Sequence, residues 1–374
     1  MNKEKRVLIL SPHYFPMTDG LGHYTTIFHR ELVNHLTAHV LTNSTNSKNS
    51  ETFPVVEKWH FFSLKNIFKK NNLYIYDRYL IQYVPFMYER RGGINFSFPI
   101  FIIYLCWVKK KKIDLMVHEI NYPFELNPKS ALMFFSHGLM MFMLCLGKKH
   151  MFVSTEYFCR QLKKYFFVSP KKLTRLPVGS NIPVTSFPKN PNNELTIGLF
   201  GKLHPAKEVP MILKLCLELY LEGEKFKIVY IGETEKAVLE TFSDEEKVIF
   251  QKFFKATGYL RENEVSRELQ GLDLFLAYFV DGLSTRRGSV MAALEHGVPV
   301  ISTLGLDTDP ELLNHHFIQL LSIEKEQFKK SLKLAIKQTN QNSKNEIQEF
   351  YKTNFSWKKI VQDYTAIFSD SSRL

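Results

Sequence analysis

Arg286 and Arg287 stand side by side in the loop Leu283-Ser284-Thr285-Arg286-Arg287-Gly288, which also carries two hydroxyls; Ser289 adds a third. Guanidiniums offer paired N–H groups that match phosphate oxygens, and a helix N-terminus favours anions for the same reason. With Ser289 as the expected N-cap of a short helix, the loop suits an anionic, hydroxyl-rich ligand such as a phosphorylated sugar. An ordinary solvated βα loop has the same outline, so this stretch alone leaves both readings open. Asp281-Gly282 lead into it. Two further clusters invite attention: Lys202 and Lys207, in a loop after an apolar run, and His118-Glu119, at the end of another.

The elements that must position these residues alternate between strand and helix. Leu272 to Phe279 is apolar without sustained alternation, the pattern of a strand buried on both faces of a parallel sheet. Val290 to Glu295 reads as a helix that Gly297 ends, and Val298 to Ser302 as the next strand. In such units ligands lie at the carboxyl ends of the strands. At the front of the chain, Arg6 to Ser11 is a strand, a loop carries Gly20 and Gly22, His23 to Leu36 is an amphipathic helix, and His39 to Thr42 a second strand. Thr25 stands where a nicotinamide fingerprint needs glycine, and Asn43-Ser44 where it needs an acid, so that fingerprint is incomplete. Strands are expected again at 113–119, 150–156 and 173–180, whereas 44–110 resists assignment. A Pro- and Asn-rich joint (Pro183, Pro188, Asn190, Pro191, Asn192, Asn193) follows. The alternation then restarts, with strands at 195–201 and 227–233, helices at 209–221 and 264–271, and a helical tail ending in Trp357 to Phe368. This predicts an α/β chain of two Rossmann-like domains facing a cleft: 1–185, 194–350, and a helix at 351–374 returning to the first.

The net charge of +12 and pI near 9.3 favour anionic partners. No nucleic-acid-binding module or basic recognition helix is present, which excludes nucleic acid as the expected partner. Cys106, Cys145, Cys159 and Cys216 lack paired or metal-type spacing and read as reduced thiols. With no signal peptide evident, a cytoplasmic protein is expected. The apolar runs Phe96 to Val108 and Ala131 to Leu146 are shorter than a bilayer span and read as buried core helices. Contact with an anionic membrane, at its inner face, is the second reading, because Lys109 to Lys112 and Lys148-Lys149 abut these runs. Asp307-Thr308-Asp309 reads as a solvated loop, and no metal is expected.

Four features together resemble the retaining nucleotide-sugar glycosyltransferases of the GT-B fold, glycosyltransferase family four. They are Leu8 to Pro12 with Asp19-Gly20-Leu21-Gly22; Ile197 to Leu203 with Lys207; Thr257-Gly258-Tyr259-Leu260; and Asp281-Gly282 through Gly297-Val298-Pro299-Val300. Their order spans roughly 6–305. The resemblance implies a donor site on the C-terminal domain and an acceptor site on the N-terminal one, with a nucleotide sugar as co-substrate and no cofactor. Lys207 would bind the donor diphosphate, with Lys202 as a point charge where the family often has arginine, and Gly20 and Gly22 would let backbone N–H groups reach the same phosphates. His118 would lie near the transferred sugar, with Glu119 as a contact to the acceptor. The family's reaction needs no strong protein nucleophile, since the leaving phosphate can take the acceptor proton.

One departure marks a minority branch. The family's second paired glutamate, which holds the nucleotide ribose, falls at Ala292. Glu295, one helical turn on, is the substitute or else a solvated residue, and Asp281 takes the first glutamate's place near the donor sugar. Ser284, Thr285, Arg286, Arg287 and Ser289 would then assume phosphate and sugar contacts. The function implied is sugar transfer to a glycan or lipid-linked acceptor in cell-envelope polysaccharide or glycolipid assembly. A nucleotide-sugar epimerase of the same fold and a non-catalytic nucleotide-sugar-binding partner are the competing readings.

Overall fold

A computed structural model of the chain describes residues 5–17, 19–43, 55–89, 93–120, 124–187, 194–204, 207–240, 242–338 and 344–369. Most of the expected joint, from Pro188 to Asn193, lies outside the described residues, as do Asn121-Tyr122-Pro123 beside His118-Glu119. The chain divides into two compact units, Met1–Pro177 with Ile360–Leu374, and Val178–Lys359.

The first unit is built on β1 (Arg6–Leu10), α1 (Gly20–Leu32), β2 (Thr37–Leu41), α2 (Phe61–Lys70), β3 (Arg78–Tyr83), α3 (Ser97–Ile103), β4 (Lys112–Val117), α4 (Pro128–Leu146), β5 (His150–Val153), α5 (Glu156–Phe166) and β6 (Leu173–Arg175). Its sheet is parallel throughout, ordered β2-β1-β3-β4-β5-β6. β3 emerges from the stretch that the sequence left unassigned. All six of its residues are buried, Arg78 and Gln82 included. The Arg78 guanidinium is tolerated there because Asp114 on β4 accepts from its Nη1 at 2.9 Å.

The second unit comprises β7 (Thr196–Phe200), α6 (Val209–Leu221), β8 (Lys227–Ile231), α7 (Glu235–Leu239), α8 (Asp244–Phe250), β9 (Phe254–Ala256), α9 (Glu262–Gln270), β10 (Leu274–Leu276), α10 (Gly288–Glu295), β11 (Val300–Thr303), β12 (Ile318–Leu321), α11 (Lys325–Gln338) and α12 (Lys344–Asn354). Its parallel sheet runs β12-β11-β10-β7-β8-β9. The chain therefore builds outward from β7 to β9, returns to the other side of β7 with β10, and builds outward again. This is the Rossmann order, with its topological switch point between β7 and β10. The last helix, α13 (Trp357–Ser369), carries Tyr364 into the first unit's core, with ring centroids 5.4 Å from Phe28 and 5.2 Å from Phe152.

Three expectations need correction. α1 begins at Gly20 rather than His23, because Asp19 caps it by accepting from the Leu21 and Gly22 N–H groups at 3.0 Å. Ser289 is not the cap of α10 but lies in its first turn; Arg287 occupies the cap position and makes no capping bond. Nor is α4 a buried core helix. Only 33% of its most apolar 18-residue window is buried, and its outer face is exposed.

Candidate functional site

At the switch point of the second unit the carboxyl ends of β7 and β10 open into a small, half-open recess. Apolar and aromatic side chains line most of it; Lys207 and Ser289 bring polar groups to its wall. β7 leaves the sheet through Gly201, whose φ of +109° is one that side chains rarely adopt. A Cβ there would stand 2.8 Å from Lys207 Nζ, so the missing side chain makes room for the ammonium. Among the described residues that ammonium has only long contacts, to the Phe200 and Lys202 carbonyls at 3.4 and 3.5 Å. Burial, and then the Arg287 charge, push the Lys207 pKa below its usual value. Lys202 itself is exposed.

The loop after β10 supplies the second part. Asp281 binds both guanidiniums: Arg287 Nη2 donates to its two carboxylate oxygens at 2.5 and 2.7 Å, and Arg286 Nη2 donates at 2.9 Å. The Arg287 guanidinium also lies over the Phe279 ring, 4.2 Å from its centroid, a second constraint on its plane. Its Nε is buried without a hydrogen-bond partner among the described residues. Asp307 lies 4.0 Å from Arg286. Asp281 and Asp307 thus partner Arg286 and Arg287, and Lys207 adds a further cation in the recess wall.

The loop's hydroxyls are used differently from the expectation. Ser284 and Thr285 are buried, at 0% and 1% exposure. Thr285 donates both its backbone N–H, at 2.6 Å, and its hydroxyl, at 2.8 Å, to Asp309 Oδ2. The expectation of a solvated 307–309 loop is therefore wrong: Asp309 is fully buried because it holds the arginine loop in shape. Ser284 Oγ is buried with no partner among the described residues. Gly282 allows this fold-back, with φ at +93° and the Gly305 backbone nitrogen 2.5 Å from where a Cβ would sit. Asp309-Pro310 opens a short helical turn, but the Asp309 side chain makes no capping bond to it and serves Thr285 instead.

Glu295 lies at the other end of α10 from Ser289, roughly 9 Å along the axis at 1.5 Å per residue. Burial pushes its carboxyl up to about 7, partly offset by a hydrogen bond with Ser180. The structure does not bring it to the recess with Lys207.

The remaining candidates belong to the first unit. Gly22 packs inward, since a Cβ there would be 2.6 Å from the Met17 carbonyl oxygen, whereas Gly20 faces open space. His118 follows β4, its Nε2 2.7 Å from Gln82 Oε1 and its ring edge-on to Tyr24 at 4.6 Å. Burial pulls its pKa down to about 3, which keeps the imidazole neutral. Glu119, next along, is exposed. At the carboxyl end of β1 the structure adds a pair that sequence reasoning missed: His13 Nδ1 lies 2.7 Å from Asp19 Oδ2. Six residues separate the two, and no motif marks them. Among the described residues no cluster of three or more His, Cys, Asp or Glu side chains could hold a metal ion.

No protein-family model matches the chain. A search of curated proteins likewise found no match. Solved structures do match over nearly the whole length. Anabaena HepE in complex with UDP is 12% identical with a TM-score of 0.70, over 98% of this chain and 99% of that one. Sucrose-phosphate synthase from Thermosynechococcus elongatus is 10% identical with a TM-score of 0.69, over 97% and 98%. WaaG, a glycosyltransferase involved in lipopolysaccharide biosynthesis, is 13% identical with a TM-score of 0.66, over 98% and 100%. The two six-stranded parallel sheets with their helices are thus the GT-B fold.

Proposed function

We propose that the protein is a glycosyltransferase that moves a sugar, with retention of configuration, from a nucleoside-diphosphate sugar to a hydroxyl of a glycan or lipid-linked acceptor. Cell-envelope polysaccharide or glycolipid assembly is the setting. The observation that carries this reading is the convergence of Lys207 and Arg287 at the β7–β10 switch point, where Lys207 stands in the recess wall and Arg287 lies over Phe279, another residue of that wall. Like charges held together at a recess are relieved by a multivalent anion, and a sugar nucleotide's diphosphate is one. The GT-B fold and the UDP bound to HepE agree with a nucleotide-sugar donor.

In this scheme Lys207 and Arg287 hold the diphosphate and stabilise the charge that grows on it as the glycosidic bond to phosphate breaks. Asp281 keeps the guanidinium planes fixed, and Asp309 fixes the loop behind them. His118, neutral and donating its Nε2–H to the Gln82 amide oxygen, offers only Nδ1, which accepts a hydrogen bond from a hydroxyl without contributing charge. Glu119 contacts the acceptor.

The test is a panel of nucleoside-diphosphate sugars screened by thermal unfolding, followed by acceptor assays that count released nucleoside diphosphate. A donor at 100 times its Kd stabilises the fold by about 2.7 kcal/mol. Arg286→Ala with Arg287→Ala should abolish that shift, and the anomeric proton of the product should report retention. A panel in which no nucleotide sugar shifts the unfolding would remove the proposal; an altered donor formed without acceptor would make the protein an epimerase.

A further inference from the structure

The outer face of α4 is apolar and unpartnered in the described structure. Leu132, Phe135, Leu139, Phe142 and Leu146 are 44–66% exposed, and their spacing alternates between three and four residues, which lines them up along one side. The opposite face, with Met133, His137, Met140 and Leu144, is buried in the core. α4 is therefore fixed along the protein surface and cannot be surrounded by lipid, although its length and composition would suit a membrane span. The stripe widens at both ends. Phe124, 53% exposed, packs edge-on against Phe134 and Phe135 at one end. At the other, Trp107, 60% exposed, donates its indole N–H to the Leu146 carbonyl at 3.1 Å.

Charge identifies the occupant. Lys109 to Lys112 follow Trp107-Val108 directly, and Lys148-Lys149 follow Leu146 after Gly147, so both lysine runs gather at the Trp107 end. Among the described residues none of these six has a carboxylate within ion-pair distance. Burial, and then Lys112 and Lys172, push Lys149 down, a sign that these cations crowd one another. Across 97–112 and 124–150 the only acid is Glu125. An aromatic and aliphatic stripe with a cationic rim matches the headgroup–acyl boundary of an anionic leaflet. A second copy of the chain would bring the same cations without neutralising them.

We propose that the protein docks on anionic phospholipid membranes through the outer face of α4, which lies flat in the interface with Phe135, Leu139 and Trp107 immersed and Lys110, Lys111, Lys112 and Lys149 on the headgroups, whereas Lys109 lies over the Tyr74 and Tyr104 rings and Lys148 donates to the Cys145 carbonyl. This does not depend on the transferase reading, and its test needs no sugar donor.

The experiment is co-sedimentation of the full chain with vesicles of phosphatidylcholine alone or with a third phosphatidylglycerol, at low and high salt. Binding should require phosphatidylglycerol and weaken with salt. Phe135→Ser with Leu139→Ser should lower the partition coefficient at least about 100-fold from lost apolar burial. Gln at 110–112 should lower it by a factor on the order of 100, at about fivefold per lysine. Trp107 gives a local readout, because Trp59 is buried and the Trp357 indole is bonded to Ser180. Its emission should shift to the blue on binding and be quenched by brominated lipid, a signal that Trp107→Phe removes. Near-UV circular dichroism of each variant confirms that it is folded. The proposal fails if the wild type stays in the supernatant with phosphatidylglycerol vesicles, or if folded face variants bind as well as the wild type. It fails also if the face variants convert a dimer to a monomer and leave vesicle binding unchanged.

Discussion

Lys207→Met should move stability and binding in opposite directions. Among the described residues the Lys207 ammonium has only two long carbonyl contacts and a neighbouring guanidinium, and burial disfavours its charge. Methionine keeps the chain's length and reach and removes the charge. The free protein should then be unchanged or more stable, by up to about 1 kcal/mol, as expected where a residue is kept for function at some expense to the fold. Nucleoside diphosphate should lose a charge-assisted hydrogen bond worth about 1.5–3 kcal/mol, a fall in affinity of about 10- to 150-fold. The pH dependence has a definite sign. A lysine with a lowered native pKa binds fewer protons folded than unfolded. Wild-type stability should therefore rise with pH between the lowered value and the ordinary 10.5, and the variant should lack that slope. Urea unfolding from pH 7 to 10 and titration calorimetry with nucleoside diphosphates measure the two effects. A variant destabilised by more than about 1 kcal/mol, or one that binds nucleotide as the wild type does, would falsify the assignment of Lys207 to an anion site.

Other substitutions separate the parts of the site. Gly201→Ala forces a side chain into φ +109° and against Lys207 Nζ; unfolding should cost about 1–3 kcal/mol less and nucleotide affinity should fall, both visible in one thermal-shift series. Glu295, pushed up to about 7 by burial at the negative end of α10, holds a proton that the unfolded chain releases near 4.5. Stability should accordingly fall as pH rises from about 4.5 to 7, and Glu295→Gln should flatten that slope and gain about 1–3 kcal/mol at pH 8 in denaturant titrations. Asp309→Ala strips the Thr285 N–H and hydroxyl of their acceptor; a loss of about 2–4 kcal/mol in stability together with weakened donor binding is expected, and an unaffected thermal shift would count against a loop-shaping role. Asp19→Ala should cost about 1 kcal/mol through the α1 cap, read from the unfolding midpoint.

Much of the architecture is written locally. Apolar runs without alternation at 7–10, 197–199 and 300–301 announce strands of a parallel sheet, and the glycines and lysines between them announce ligand loops, because hydrophobic period and turn chemistry depend on neighbours a few residues apart. β3 was illegible for the converse reason. Arg78 and Gln82 look like solvent-facing residues until Asp114, 36 positions later, makes burial of the guanidinium tolerable. The site repeats the lesson. Ser284 and Thr285 have the composition of ligand-binding hydroxyls, yet a carboxylate 24 residues downstream of Thr285 commits that residue to the fold.

By itself the sequence determined that two βα-alternating halves exist and that cations, hydroxyls and glycines sit in their loops. The tertiary structure decided which loops share a site: strand order sets β7 beside β10 although more than 70 residues separate them, and so brings Lys207 to Arg287. It also decided that half of α4 faces outward, a distinction that composition cannot make, since an apolar residue on the surface and one in the core differ only in what lies against them.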